Sequence, residues 1–182
     1  MNAKVFILPG LNNSGATHWQ SQWEKAYGFT RINQDDWDTP SCADWLERID
    51  QHLSRLADKE ILLVGHSLAC CTIAHWANAS RRFIKGALLV GPSDVEAPSY
   101  PKGTTGFSPM PLQEIQFPTV VLASTNDEYV SVERAQYFAD QWKSKLVWVG
   151  EKGHINSASN LGRWQEGYEW LLKLDLERIG HP

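Results

Sequence analysis

A serine that follows an apolar stretch is the residue in this chain best placed to act as a nucleophile. Residues 61–69 read ILLVGHSLA, in which Ser67 comes directly after the run ILLVGH. An unbroken run of leucine and β-branched residues is typical of a strand buried in a parallel sheet. Gly65 and Ala69, two positions before and after the serine, are small enough for a strand and a helix to fold back at a sharp turn. The pattern predicts a nucleophile elbow, with alanine at the second small position where glycine is commoner.

Two further residues provide the partners that a serine nucleophile needs. Asp127 follows the apolar stretch 119–123, and His154 follows the stretch 145–149. Because catalytic groups in parallel α/β sheets lie beyond the carboxyl ends of the strands, these side chains and Ser67 are expected to meet. His154 would take the proton of the hydroxyl, and Asp127 would hold the imidazole in the required tautomer. The order Ser, Asp, His along the chain is the order found in α/β-hydrolases.

The chemistry also requires donors for the oxyanion of a tetrahedral intermediate. The backbone N–H of Leu68, next to the predicted nucleophile, is one donor that such an elbow provides. The second is expected from the loop after the first apolar stretch, where Leu11 lies just beyond Pro9-Gly10. Asn12 is an alternative to Leu11 for this second donor.

The acid of the site is less sharply defined than the serine and the histidine. Asp94 follows the fourth predicted strand, a place where some hydrolases keep their acid, and Glu128 is adjacent to Asp127. Both carboxylates compete with Asp127, and Asp94 remains an open alternative.

The other histidines have simpler interpretations. His52 and His75 fall within helical patterns, which favours structural roles. His66 precedes the nucleophile and is expected to support the elbow. His18 either lines the substrate pocket or braces the first loop, and the sequence does not distinguish these roles.

Strand-like and helix-like segments alternate along the chain, which predicts a parallel sheet with right-handed crossovers. A segment at residues 93–117 carries prolines and glycines without periodicity, and long loops of this kind are usually functional or disordered. No internal repeat or linker interrupts the pattern, so a single domain over residues 1–182 is expected. The predicted strands are 5–8, 29–33, 61–66, 84–90, 119–123 and 145–149, and the predicted helices are 18–24, 42–56, 68–77, 131–142 and one from about 161.

Composition excludes several classes of partner. The 182 residues carry a net charge of −4 without a run of Lys or Arg, so neither nucleic acid nor a membrane surface is an expected partner. No apolar run approaches the length of a membrane span, and the first residues show no signal-peptide pattern, which favours a cytoplasmic location. The cysteines Cys42, Cys70 and Cys71 are odd in number and suit reduced packing residues. Without metal-ligand spacings or nucleotide-binding glycine motifs, no metal and no cofactor are expected.

Several separated motifs together resemble the small serine hydrolases of the retinoblastoma-binding-protein type, particularly the bacterial members. The resemblance covers nearly the whole chain and implies a minimal α/β-hydrolase fold. That fold is a three-layer sandwich with a mainly parallel sheet of about six strands, helices on both faces and no substantial lid. It also implies a triad of Ser67, Asp127 and His154. The motifs are LNNSG at 11–15, HWQ at 18–20, GHSLA at 65–69, ND at 126–127, GHIN at 153–156 and GRW at 162–164.

The implied activity is carboxylesterase-like or aminopeptidase-like. We expect hydrolysis of small carboxylic esters through an acyl-enzyme, with short amides, acyl transfer or a protein-binding role on a hydrolase scaffold as alternatives. No Leu-x-Cys-x-Glu motif is present, so binding to a retinoblastoma-type pocket protein is not supported.

Substrate contacts are predicted from position alone. Loops at the catalytic edge are expected to place Asn12 and His18 beside the substrate, together with an aromatic pocket that includes Trp37 and Phe107. Substitution of either aromatic residue is then expected to alter the preferred acyl length. The full set of residues predicted for this pocket is Trp19, Trp37, Phe107, Met110 and Tyr129.

Overall fold

The computed structural model describes residues 3–176, which form one parallel sheet covered on both faces by helices. The strand order is β2-β1-β3-β4-β5-β6, and every neighbouring pair is parallel. The predicted domain over 1–182 extends beyond this part of the chain, since residues 1–2 and 177–182 lie outside the described residues. The strands are Lys4–Leu8 (β1), Thr30–Arg31 (β2), Ile61–His66 (β3), Gly86–Val90 (β4), Thr119–Ala123 (β5) and Lys145–Trp148 (β6).

Alternate side chains of the strands pack against two separate groups of helices. One core contains the buried faces of α2, α3 and α4, and the other contains those of α1 and α5. The result is the predicted three-layer sandwich. The helices are Trp19–Tyr27 (α1), Cys42–Leu53 (α2), Leu68–Ser80 (α3), Val132–Trp142 (α4) and Gln165–Leu176 (α5). None of the helices within residues 3–176 is both long and apolar enough to cross a membrane.

The central strands bring four loops to the same edge of the sheet. Every residue of β3 and β4 is buried, as expected for strands covered on both faces. Leu8 pairs with Gly65, and His66 pairs with Val90, so β1, β3 and β4 end at nearly the same level. The loops that follow these strands and β5 are therefore neighbours.

The segment between β4 and β5, residues 91–118, includes the predicted long loop at 93–117 and is partly buried. It contains no helix, and its buried side chains belong to the core that includes α2, α3 and α4. Phe107, predicted to contact substrate, is instead a core residue that is only 1% exposed. Its ring lies 5.6 Å from that of Trp45, and its carbonyl accepts a hydrogen bond from His75. Apolar side chains in this segment face the core, because burial against the helices removes them from water.

Candidate active site

The turn between β3 and α3 holds Ser67 in an unusual backbone conformation. Its φ of 59° and ψ of −123° are sparsely populated for a residue with a side chain, as expected for a nucleophile elbow. Gly65 makes the turn possible, since a Cβ there would lie 2.6 Å from Cδ1 of Ile73 and 3.3 Å from the backbone of Ala69. The Ser67 N–H donates to the carbonyl of Val90, which ties the elbow to β4.

The loop after β1 lies directly against this elbow. A Cβ on Gly10 would come within 2.8 Å of both the His66 carbonyl oxygen and Ser67 Cβ, so only glycine permits the approach. The buried Gln20 of α1 reinforces the contact. Its amide donates to the carbonyls of Leu8 and Val64, at 3.1 and 3.2 Å, and so joins the ends of β1 and β3.

The three residues predicted as nucleophile, base and acid meet at the carboxyl edge of the sheet. Ser67 Oγ lies 2.8 Å from His154 Nε2, and His154 Nδ1 lies 2.9 Å from each carboxylate oxygen of Asp127. The Tyr129 N–H donates to one of those oxygens. The side chains of His154 and Asp127 are 6% and 0% exposed, so their hydrogen bonds are shielded from water.

The competing carboxylates lie elsewhere. Asp94 accepts hydrogen bonds from Arg134 Nε at 2.7 Å and Nη2 at 3.0 Å, and it does not contact His154. Glu128 is exposed to solvent. Of the three carboxylates considered, only Asp127 therefore faces the imidazole.

His66 supports the histidine of this group through the backbone. Its Nε2 lies 2.9 Å from the His154 carbonyl oxygen, and because a carbonyl only accepts, Nε2 carries the proton. Burial, assisted by the nearby His18 and His154, lowers the pKa of His66 well below its ordinary value. A neutral His66 thus anchors the chain at His154.

His18 combines the two roles that the sequence left open, since it both lines the cavity and contacts the start of α1. Its Nδ1 accepts from the Gln20 N–H at the start of α1, and its ring lines the cavity above Ser67. Burial is the main cause that lowers the pKa of His18 to about 3, with smaller contributions from Arg31 and His154. His18 is therefore neutral at physiological pH, with its proton on Nε2.

A cavity of about 380 Å³ opens above Ser67. Asn12 and His18 line it, whereas Trp37 and Phe107 do not. Trp37 instead braces the first loop, because its carbonyl accepts the Asn12 N–H at 2.8 Å. The lining contains no Asp, Glu, Lys or Arg side chain. The lining residues are Leu11, Asn12, Asn13, His18, His66, Ser67, Ser93, Tyr100, Pro101, Tyr129, His154, Asn156, Ser157 and Ala158.

The two backbone N–H groups predicted as oxyanion donors belong to Leu11 and Leu68. Within residues 3–176, neither the Leu11 N–H nor the Leu68 N–H has a protein acceptor. The Asn12 N–H, the alternative to Leu11, already donates to Trp37. In the same part of the chain, no group of three His, Cys, Asp or Glu side chains is arranged to hold a metal ion.

Sequence reasoning missed several residues of the cavity wall. Ser93, whose Oγ lies 2.7 Å from that of Ser67, follows β4 just after Gly91-Pro92. Its position beyond a strand end was the available signal, but serine is common in such loops. Tyr100 and Pro101 come from the segment after β4, and residues 156–158 come from the turn after His154.

Comparisons with known proteins agree with this architecture. The profile of the family described as Serine hydrolase matches residues 5–173. A protein described as a YdeN-like hydrolase from Pectobacterium atrosepticum is similar in structure, with a TM-score of 0.83, 31% identity, and coverage of 96% of this chain and 91% of that one. The ydeN gene product from B. subtilis has a TM-score of 0.79 at 23% identity, covering 96% of this chain and all of that one.

More distant structures share the fold alone. Est1E from Butyrivibrio proteoclasticus has a TM-score of 0.69 at 14% identity, covering 96% of this chain and 89% of that one. None of the curated proteins compared with the chain matches it. The family match over most of the length, on this sheet and this elbow, leads to one conclusion: the chain is an enzyme of the serine hydrolase family with an α/β-hydrolase fold.

Proposed function

We propose that this enzyme cleaves small, uncharged carboxylic esters through an acyl-enzyme on Ser67. The observation that carries the proposal is the continuous hydrogen-bonded chain from Asp127 through His154 to Ser67, which ends beneath an open cavity. The motif resemblance to hydrolases of the retinoblastoma-binding-protein type supports the same assignment of the triad.

The first half of the reaction forms the acyl-enzyme. His154 Nε2 takes the proton of Ser67 as Oγ attacks the ester carbonyl carbon, and Asp127 stabilises the imidazolium that forms. The oxyanion accepts hydrogen bonds from the N–H groups of Leu11 and Leu68. His154 then protonates the leaving alcohol as its bond to the acyl carbon breaks.

The second half releases the acid. A water molecule gives its proton to His154 Nε2 and bonds to the acyl carbon through its oxygen. The tetrahedral intermediate collapses when the bond between carbon and Ser67 Oγ breaks. Ser67 recovers its proton from His154, and the carboxylic acid leaves.

The charge of the cavity favours esters over the substrates of an aminopeptidase. A free α-ammonium group needs an anionic partner, and the cavity wall formed by the described residues contains no exposed carboxylate. Asn12, Asn156 and Ser157 instead offer neutral hydrogen-bonding groups. The cavity volume is at the low end for small-molecule sites, which suits short acyl chains.

Steady-state kinetics test this proposal. We expect hydrolysis of p-nitrophenyl acetate and butyrate at a higher kcat/KM than that of p-nitrophenyl octanoate or leucine p-nitroanilide. Ser67→Ala is expected to lower kcat by at least about a thousandfold, because the hydroxyl is the attacking group. A preference for the anilide would contradict the ester assignment. Full activity in Ser67→Ala would contradict the assignment of Ser67 as the nucleophile.

A further inference from the structure

The hydrogen atoms around Ser67 can be assigned from the acceptors that surround them. The Asp127 carboxylate only accepts, so His154 Nδ1 carries the proton that lies between them. In neutral His154, Nε2 then has a lone pair, and Ser67 donates its single hydroxyl proton to it across 2.8 Å. The remaining hydrogen bond, 2.7 Å between the hydroxyls of Ser67 and Ser93, must therefore be donated by Ser93.

We propose that Ser93 is a further catalytic residue, which donates a hydrogen bond to the nucleophilic oxygen and accelerates its release from the acyl-enzyme. The inference rests on the proposed function, because it concerns the same acyl-enzyme. Ser93 is only 1% exposed, so its hydroxyl has few alternative partners in water. The backbone next to it is also held, since the Asp94 N–H donates to the Tyr129 carbonyl at 2.9 Å.

The contribution of this donor differs between the two halves of the reaction. In the acyl-enzyme, Ser67 Oγ is an ester oxygen. Because an ester oxygen is a weak acceptor, the hydrogen bond from Ser93 stabilises the acyl-enzyme little. During deacylation the bond from the acyl carbon to Oγ breaks, and its electron pair stays on Oγ, which takes the proton back from His154. The Ser93 hydroxyl stabilises that growing charge. During acylation the hydrogen bond already exists before attack, so it lowers that barrier little.

Pre-steady-state kinetics separate these halves. With p-nitrophenyl acetate, the initial burst reports acylation and the later linear phase reports deacylation. In Ser93→Ala we expect the deacylation rate constant to fall roughly tenfold or more, as for loss of a hydrogen bond to a charged oxygen. The burst rate is expected to stay within about threefold of wild type, as is the rate of labelling by a fluorophosphonate, which requires attack by Ser67 but no deacylation.

Three variants serve as controls. Ser93→Thr keeps the hydroxyl and is expected to restore most of the deacylation rate. Ser144→Ala removes a hydroxyl from the Thr119–Ser144 pair near the amino end of β5, away from the site, and should leave both rate constants unchanged. If Ser93→Ala does not fold, Ser93→Cys provides the same comparison with a weaker donor, and its deacylation is expected to be slowed to a smaller extent.

The outcomes separate failure of the role of Ser93 from failure of the proposed function on which it rests. Unchanged deacylation in Ser93→Ala, with a normal burst in wild type, would overturn the role of Ser93 and leave the proposed function standing. An equal loss in burst, labelling and deacylation that Ser93→Thr does not restore would indicate packing alone and would also overturn it. The absence of both burst and labelling in wild type would overturn the proposed function, and this inference with it.

Discussion

Replacement of Asp127 by asparagine is expected to change which nitrogen of His154 carries the proton. The Tyr129 N–H donates to Oδ1 of Asp127, so the amide oxygen of the variant would keep that contact and its NH₂ group would face the imidazole. An NH₂ group donates, so His154 Nδ1 would become the acceptor and Nε2 would carry the proton. Nε2 could then no longer accept the hydroxyl proton of Ser67 across the 2.8 Å hydrogen bond.

The size of the effect follows from this change of tautomer. The same substitution in a serine protease triad lowers kcat by roughly 10⁴-fold while leaving the geometry intact. A factor of this size corresponds to about 5.5 kcal/mol of transition-state stabilisation. KM is expected to change little, because the Asp127 side chain is fully buried and does not line the cavity.

The assay compares kcat for p-nitrophenyl acetate in Asp127→Asn and Asp94→Asn. Asp94→Asn removes a carboxylate at a neighbouring strand end, but one that pairs with the partly exposed Arg134. That variant is expected to be less stable, because the loss of the buried Asp94 carboxylate leaves Arg134 without this partner, and to keep its activity, because Asp94 pairs with Arg134 rather than with His154. Activity that survives in Asp127→Asn and disappears in Asp94→Asn would refute the reasoning and restore Asp94 as the acid.

Three further predictions concern the surroundings of the triad. Gly10→Ala should lower kcat by roughly a hundredfold, because its Cβ would displace the elbow, whereas Gly15→Ala, with open space around it, should match wild type in the same assay. His18 has a folded pKa of about 3 against 6.5 when unfolded, so its stabilising contribution is complete above pH 6.5 and is lost as the pH falls towards 3. In His18→Asn, which keeps an N-cap acceptor, urea unfolding between pH 5.5 and 4 should show a dependence on pH that is shallower by about 1 kcal/mol per pH unit, and an unchanged slope would contradict the buried neutral histidine. Phe107→Ala should lower the free energy of unfolding by roughly 3–5 kcal/mol without changing the order of preference among acyl-chain lengths. A changed order would indicate that Phe107 contacts the substrate.

The sequence was most informative where one local pattern determined the structure. The run before Ser67 predicted a buried strand because central parallel strands are apolar on both faces. Asp127 and His154 could be placed because they directly follow strands, and the strands of a parallel sheet end at one edge. The elbow could also be predicted, because the sharp turn requires only local features, namely Gly65 and a small residue at position 69.

The sequence was less informative where the path of a loop decided the outcome. Phe107 lies in a segment without periodicity, and only its packing against Trp45 determines that it faces the core. Asp94 and Asp127 both follow strands, and their difference depends on Arg134, a residue distant in sequence from Asp94. Ser93 is a common residue type at a strand end, so its 2.7 Å contact with Ser67 has no sequence signature.

The central claim is that Ser67 is the nucleophile of a covalent mechanism. The most direct measurement is fluorophosphonate labelling of wild type and Ser67→Ala, followed by intact mass and peptide mapping. The account predicts one adduct per wild-type chain, located on Ser67, and none on Ser67→Ala. An unlabelled wild-type protein, or an adduct that persists in the variant, would contradict it.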